Sequence, residues 1–149
     1  MKGASGFDKS PSRGISWLRK AAKQGNRFGK FRLAVALEAG RGTKKNEKEA
    51  FRLYREAAEA GERDAMVNLG IMLAQGRGCK PNDKEALDWY EKAALRGDVD
   101  AMVLVGMMYQ YGYGARADSS EAEHWYRKAA GKGNSLAKEL LAKMQSTRK

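Results

Sequence analysis

Residues 86–97 read ALDWYEKAALRG, and 36 positions later residues 122–133 read AEHWYRKAAGKG. The same step backwards gives AFRLYREAAEAG at 50–61 and GISWLRKAAKQG at 14–25, without insertion or deletion. In the first of these, Ala86, Trp89, Tyr90, Ala93 and Ala94 fall at i, i+3, i+4, i+7 and i+8, one stripe of an α-helix. The adjacent alanines let a neighbouring helix come close, and the aromatic pair fills the wider gap above them. The closing glycines, Gly25, Gly61, Gly97 and Gly133, suit the left-handed position that ends a helix.

A second helical pattern precedes each of the last three stripes. Ala65, Leu69, Gly70 and Leu73 are matched by Ala101, Val105, Gly106 and Tyr109, and by Gly29, Leu33, Ala34 and Leu37. A fourth copy, Ala137, Leu141 and Ala142, is cut short by the chain end. Glycine inside a helix costs about 1 kcal/mol against alanine, so its recurrence at 70 and 106 predicts a close helix crossing. Gly-x-Gly turns (40 and 42, 76 and 78, 112 and 114) separate the two patterns. Asn46, Asn82 and Asp118 are then placed to cap the next helix, with Glu49, Glu85 and Glu121 three residues on, as in a capping box. A period of this length without catalytic punctuation predicts stacked helical hairpins, a solenoid whose output is a binding surface.

The chain has 149 residues, enough for one domain with a real core. Proline occurs only at Pro11 and Pro81, as an all-helical chain requires. The lone Cys79 cannot form an intrachain disulfide. The opening MKGASGFDKSPSRG lacks the apolar run of a signal peptide, and no segment is long enough to span a bilayer. These features lead us to expect a cytoplasmic protein; an exported chain trimmed of its signal would read the same. Of the net charge of +11, most lies in residues 1–60, where fifteen Lys/Arg face six Asp/Glu. Residues 61–114 carry a slight acidic excess. Such polarity suits an acidic partner or nucleic acid, or simply solvated helix faces.

Other motifs read as structure. A nucleotide-binding Gly-x-Gly needs a preceding strand, whereas these turns lie between helices. His124 aligns with Arg52 and Asp88, an outward variable site, and one His with one Cys makes no zinc site. Cys79 aligns with Thr43 and Ala115 in a loop and reads as a passive thiol. No serine sits in a nucleophile elbow. We expect neither enzyme activity, metal nor cofactor. Trp17, Trp89, Trp125, Tyr54, Tyr90 and Tyr126 could stack on single-stranded nucleic acid, but their place on the inner stripe makes them core. Met66 and Met102 read likewise as packing residues.

The aromatic–Tyr pairs, Lys92-Ala93-Ala94, Lys128-Ala129-Ala130, Leu69-Gly70 and the Gly-x-Gly turns together resemble the Sel1-like repeat family, relatives of the tetratricopeptide repeat. The resemblance covers about residues 10–147. It implies an all-α, right-handed superhelical solenoid of antiparallel helix pairs, with the first helix of each pair lining a concave side. It also implies an adaptor, scaffold or inhibitor role, commonly in bacteria. Many secreted members carry a cysteine pair in each repeat, and this chain departs from them. We divide it into a flexible leader (1–10) and a single repeat domain (11–147). The domain comprises a half repeat (11–25), full repeats at about 26–61, 62–97 and 98–133, and a half repeat (134–147).

Carried over by register, the concave face comprises Phe28, Phe31, Val35 and Glu38 in one repeat. Asp64, Val67, Ile71 and Gln75 follow in the next, and Asp100, Val103, Met107, Gln110 and Tyr111 in the third. Two apolar rows, Phe31–Val67–Val103 and Val35–Ile71–Met107, are flanked by Asp64 and Asp100. Such a trough suits an extended or helical peptide; the competing reading is that some of these residues complete packing between repeats. A basic patch of Arg19, Lys20, Lys23, Arg27, Lys30 and Arg32 offers a second contact for an acidic protein surface or, as the alternative function, nucleic acid. The first helix lacks its usual partner, so Ile15 and Leu18 call for cover by Phe7 or by another protomer. A monomer or weak dimer through the N-terminal end is therefore expected.

Overall fold

A computed structural model of the chain describes residues 11–148. They form eight α-helices and no strand: α1 (Pro11–Lys23), α2 (Arg27–Ala39), α3 (Glu47–Glu59), α4 (Arg63–Gln75), α5 (Asp83–Leu95), α6 (Val99–Tyr111), α7 (Ser119–Gly131) and α8 (Ser135–Ser146). The expected leader, with Phe7, lies outside the described residues.

Local chemistry sets the boundaries. Asn46, Asn82 and Asp118 cap α3, α5 and α7 as the sequence predicts, each side chain accepting from the backbone N–H of the glutamate three residues on. Asn26, Asp98 and Asn134 do the same for α2, α6 and α8. The reciprocal half of the capping box does not form at Asn46 or Asn82. Their own N–H groups donate instead to Leu37 and Leu73 of the preceding helix, at 2.9 and 2.8 Å. Glu49 and Glu85 are thereby free to pair with Arg19 (3.0 Å) and Arg55 (2.7 Å) of the preceding second-type helix. Gly40, Gly76 and Gly112 end the first-type helices at φ of 69°, 67° and 75°.

Each helix packs on its sequence neighbours, most extensively within α2–α3, α4–α5 and α6–α7. These are three complete pairs of a first-type and a second-type helix, with α1 (second-type) and α8 (first-type) as half-units at the ends. One hydrophobic core runs through all of them, and no charged or polar residue is buried in it among the described residues. The predicted crossings are present. A Cβ added at Gly70 would lie 2.4 Å from Tyr90 Cε1, and one at Gly106 would lie 2.4 Å from Tyr126 Cε1. The second glycine of each later turn joins repeat to repeat: a Cβ at Gly78 would meet the Glu47 carbonyl oxygen, and one at Gly114 that of Asp83, each at 2.4 Å.

One core expectation fails. Trp89 and Trp125 are 8% and 7% exposed, but Trp17 is 72% exposed. The residue types match; the surroundings do not, because α3, α5 and α7 each follow a first-type helix and no described helix precedes α1. Ile15 is nevertheless buried, and Leu18 is partly buried against the core.

Candidate protein-binding surface

The residues expected to line the concave face divide three ways. Phe28 and Tyr111 are 55% and 58% exposed, Val35 is exposed, and Asp64, Gln75 and Asp100 are exposed polar positions. Phe31, Val67, Ile71 and Met107 are partly buried, each packing on the core with one side. Val103 is 4% exposed and belongs to the core itself. Its neighbours on α6, Val99, Met102, Val105 and Met108, are apolar too and pack on the core with it.

Two polar members are already engaged. Glu38 accepts from the Tyr54 hydroxyl (2.7 Å) and from Arg77 Nη2 (2.6 Å). Arg77 Nε also donates to Glu47 at 2.6 Å, so one guanidinium ties the turn after α4 back to both helices of the preceding pair. These two carboxylates hold its pKa above the ordinary arginine value. Burial, reinforced by Glu38, pushes the Tyr54 phenol well up from its usual value. Gln110 plays the part of Glu38 two repeats further on, accepting from the Tyr126 hydroxyl at 2.7 Å.

The basic patch is also partly spent internally. Arg19 pairs with Glu49 at 3.0 Å and Lys30 with Glu56 at 3.4 Å. Arg27 donates to the Ala60 carbonyl at 2.9 Å and faces Glu62 at 3.9 Å. Lys20 lies over the Trp17 ring and Arg32 over the Phe28 ring, cations on aromatic faces rather than beside carboxylates. The six residues therefore do not act as one unneutralised field.

Phe31 and Val35 come together with Gly14, Ile15, Leu18, Arg32, Ala36, Ala39 and Arg41 around an open, mainly apolar cavity of about 730 Å³. It lies between α1 and α2, at the N-terminal end of the expected trough. Arg41 was not among the sequence candidates, because the residue between the turn glycines reads as a spacer; its alignment with Arg77 was the available signal.

His124 is exposed, its ring edge-on to Trp125, and Cys79 donates to the Met72 carbonyl at 3.6 Å. Burial pushes the Cys79 thiol up, away from the thiolate that nucleophilic chemistry needs. Among the described residues no three His, Cys, Asp or Glu side chains cluster as a metal site, and no helix is long and apolar enough to cross a membrane.

Helix pairs stacked along one axis, turn glycines seated on the preceding repeat and a continuous core define a tetratricopeptide-like helical solenoid. The Sel1 repeat family model matches residues 1–26, 28–62, 63–98 and 99–134, and the chain belongs to the Sel1 repeat family. Members of this family commonly serve as protein-interaction modules and are generally non-enzymatic scaffolds.

Among solved structures, the chain is similar to a Sel1 repeat protein from Oxalobacter formigenes, at 37% identity and a TM-score of 0.88 over 91% of this chain. It is similar to c5321, a protective antigen of uropathogenic Escherichia coli strains displaying an SLR fold, at 32% identity and a TM-score of 0.87 over 89% of this chain. It spans 56% of the first of these proteins and 28% of the second. Helicobacter pylori cysteine rich protein B shares the fold at 22% identity, with a TM-score of 0.68 over 93% of this chain and 100% of that one. No curated protein sequence matches the chain.

Proposed function

We propose that this chain is a non-catalytic recognition module that holds a segment of a protein partner, a peptide or a helix, along the face made by its first-type helices. The observation that carries the reading is the register of partly exposed apolar side chains there. Phe31 and Val67 occupy one position in successive repeats, and Val35, Ile71 and Met107 another. Apolar side chains repeated at the period of the scaffold form a continuous strip that a bound segment can follow. The pairs and turns that hold the strip are rigid, which limits the ordering cost of association. The basic N-terminal third supplies a second contact, to an acidic portion of the partner. Ion pairs at Arg19, Arg27 and Lys30 reduce what a polyanion would gain there, so nucleic acid is the weaker reading.

The test is a peptide-display selection on the wild-type chain, with the Val67→Glu/Met107→Glu double variant as the counter-target. Selected peptides should bind the wild type and lose the double variant, while the helical circular dichroism of the two proteins coincides. Peptides that bind both equally would sink the trough reading.

A further inference from the structure

The turns that follow the first-type helices carry a second pattern at the period of the scaffold. Lys44, Lys80 and Arg116 occupy one repeat position, and Lys48 and Lys84 another, the second residue of α3 and of α5. All five are exposed, and among the described residues none of them forms an ion pair. The acids beside them are engaged elsewhere: Glu47 with Arg77 (2.6 Å), Glu49 with Arg19 (3.0 Å) and Glu85 with Arg55 (2.7 Å). Asn46 and Asn82 cap their helices with neutral side chains. Asp118 is held by the Ser120 hydroxyl at 2.7 Å and by two backbone N–H groups. Asp83 and Glu121 are the acids of these turns that remain. The cations are also joined in space. A Cβ at Gly78 would lie 3.1 Å from the backbone nitrogen of Lys48, and one at Gly114 3.1 Å from that of Lys84. The turn carrying Lys80 is thus seated on the first turn of α3, and the turn carrying Arg116 on that of α5, making one cationic edge across three repeats. The helix dipole disfavours a cation near a helix N-terminus, so helix stability does not account for Lys48 and Lys84.

We infer that this edge binds an extended acidic segment of a partner protein, at a surface separate from the trough. Charge complementarity selects the occupant: five exposed cations on one edge attract carboxylates and repel a basic segment. The overall charge of the central repeats conceals the edge, because residues 61–114 carry a slight acidic excess. Two of those acids, Asp64 and Asp100, lie at the opposite ends of their helices, each at the second residue of a first-type helix. Helices in contact lie about 8–10 Å apart, and an extended chain rises about 3.3 Å per residue. Acidic residues at every third position can therefore follow the cations from repeat to repeat. A nucleic-acid backbone bears a charge on every residue and would bring phosphates against Asp83, Asp118 and Glu121; a polypeptide can place neutral residues there. The edge shares no residue with the trough of the proposed function and stands whether or not the trough is occupied.

The probe is a fluorescently labelled peptide that repeats Glu-Gly-Ser; it has no apolar side chain with which to use the trough. A control peptide has lysine for every glutamate, and an oligothymidylate of the same length is the nucleic-acid arm. Binding to the full chain is read by anisotropy at about 0.1 M salt, where exposed charges more than about 10 Å apart are largely screened. The acidic peptide should bind, more tightly than the oligothymidylate, and the lysine peptide should not. Lys80→Glu/Lys84→Glu should weaken the acidic peptide about tenfold or more, and raising the salt to about 0.5 M should weaken it too. Lys132→Glu/Lys138→Glu makes the same change of net charge at the other ends of the helices and should leave the affinity within about twofold. The helical circular dichroism of both double variants should match the wild type. Equal losses in the two double variants, which would reduce the effect to net charge, tighter binding of the oligothymidylate, or no binding of the acidic peptide would overturn the proposal.

Discussion

Gly106→Ala sets two effects of opposite sign against each other. In an isolated helix alanine is better than glycine by about 1 kcal/mol, so helix propensity alone predicts a stabilised protein. The tertiary structure predicts the reverse. The new Cβ would lie 2.4 Å from Tyr126 Cε1, 2.6 Å from Cδ1 and 3.1 Å from Cζ. These are atoms of a rigid ring that is fully buried and anchored through its hydroxyl to Gln110 at 2.7 Å. The ring cannot swing aside without surrendering that bond, worth about 1 kcal/mol, so α6 and α7 must separate. Overpacking of a filled core costs about 1–3 kcal/mol, and the lost hydrogen bond adds to it. Against the propensity gain, the net is a destabilisation of about 1–3 kcal/mol. For a chain of this size that lowers the melting temperature by about 2–10 °C. Ala34 holds the same register in α2, so the methyl is not forbidden by the fold; it is forbidden by the packing of α6 on α7. The assay is thermal unfolding followed by circular dichroism, with Gly106→Ala/Tyr126→Leu as the relieving double variant. A melting temperature that rises in Gly106→Ala would refute the close-crossing account.

Trp89→Ala should cost about 3–5 kcal/mol, whereas Trp17→Ala, at an equivalent position but 72% exposed, should stay within about 0.5 kcal/mol in urea unfolding; similar losses would mean that α1 is covered in solution. Alkaline pH should destabilise the protein. Burial pushes the Tyr90 and Tyr126 phenols up to about 12, and the hydrogen bond to Glu91 does the same for Tyr109. Unfolded phenols release their protons near pH 10, so between about pH 10 and about 12 the folded state binds more protons than the unfolded one. The stability these tyrosines contribute is complete below pH 10 and declines as pH rises through that window. Urea midpoints measured alongside phenolate absorbance should show this decline; a phenolate titration completed near pH 10 in the folded protein would contradict it.

Nearly all of the fold could be read from the period, because the determinants of helix, turn and crossing are local and recur every 36 residues. Tyr90 over Gly70 and the caps at Asn46 and Asn82 needed only the residue and its register. Where the reading went astray, the deciding partner lay on another helix. Glu49 looks like half of a capping box until Leu37 takes the N–H it would have bonded and Arg19 takes its carboxylate. Glu38 looks like a rim acid until Tyr54 and Arg77 occupy both of its oxygens. Val103 looks like a trough residue because Val67 has the same side chain, yet Val103 is buried in the core and Val67 only partly, a difference that register does not encode.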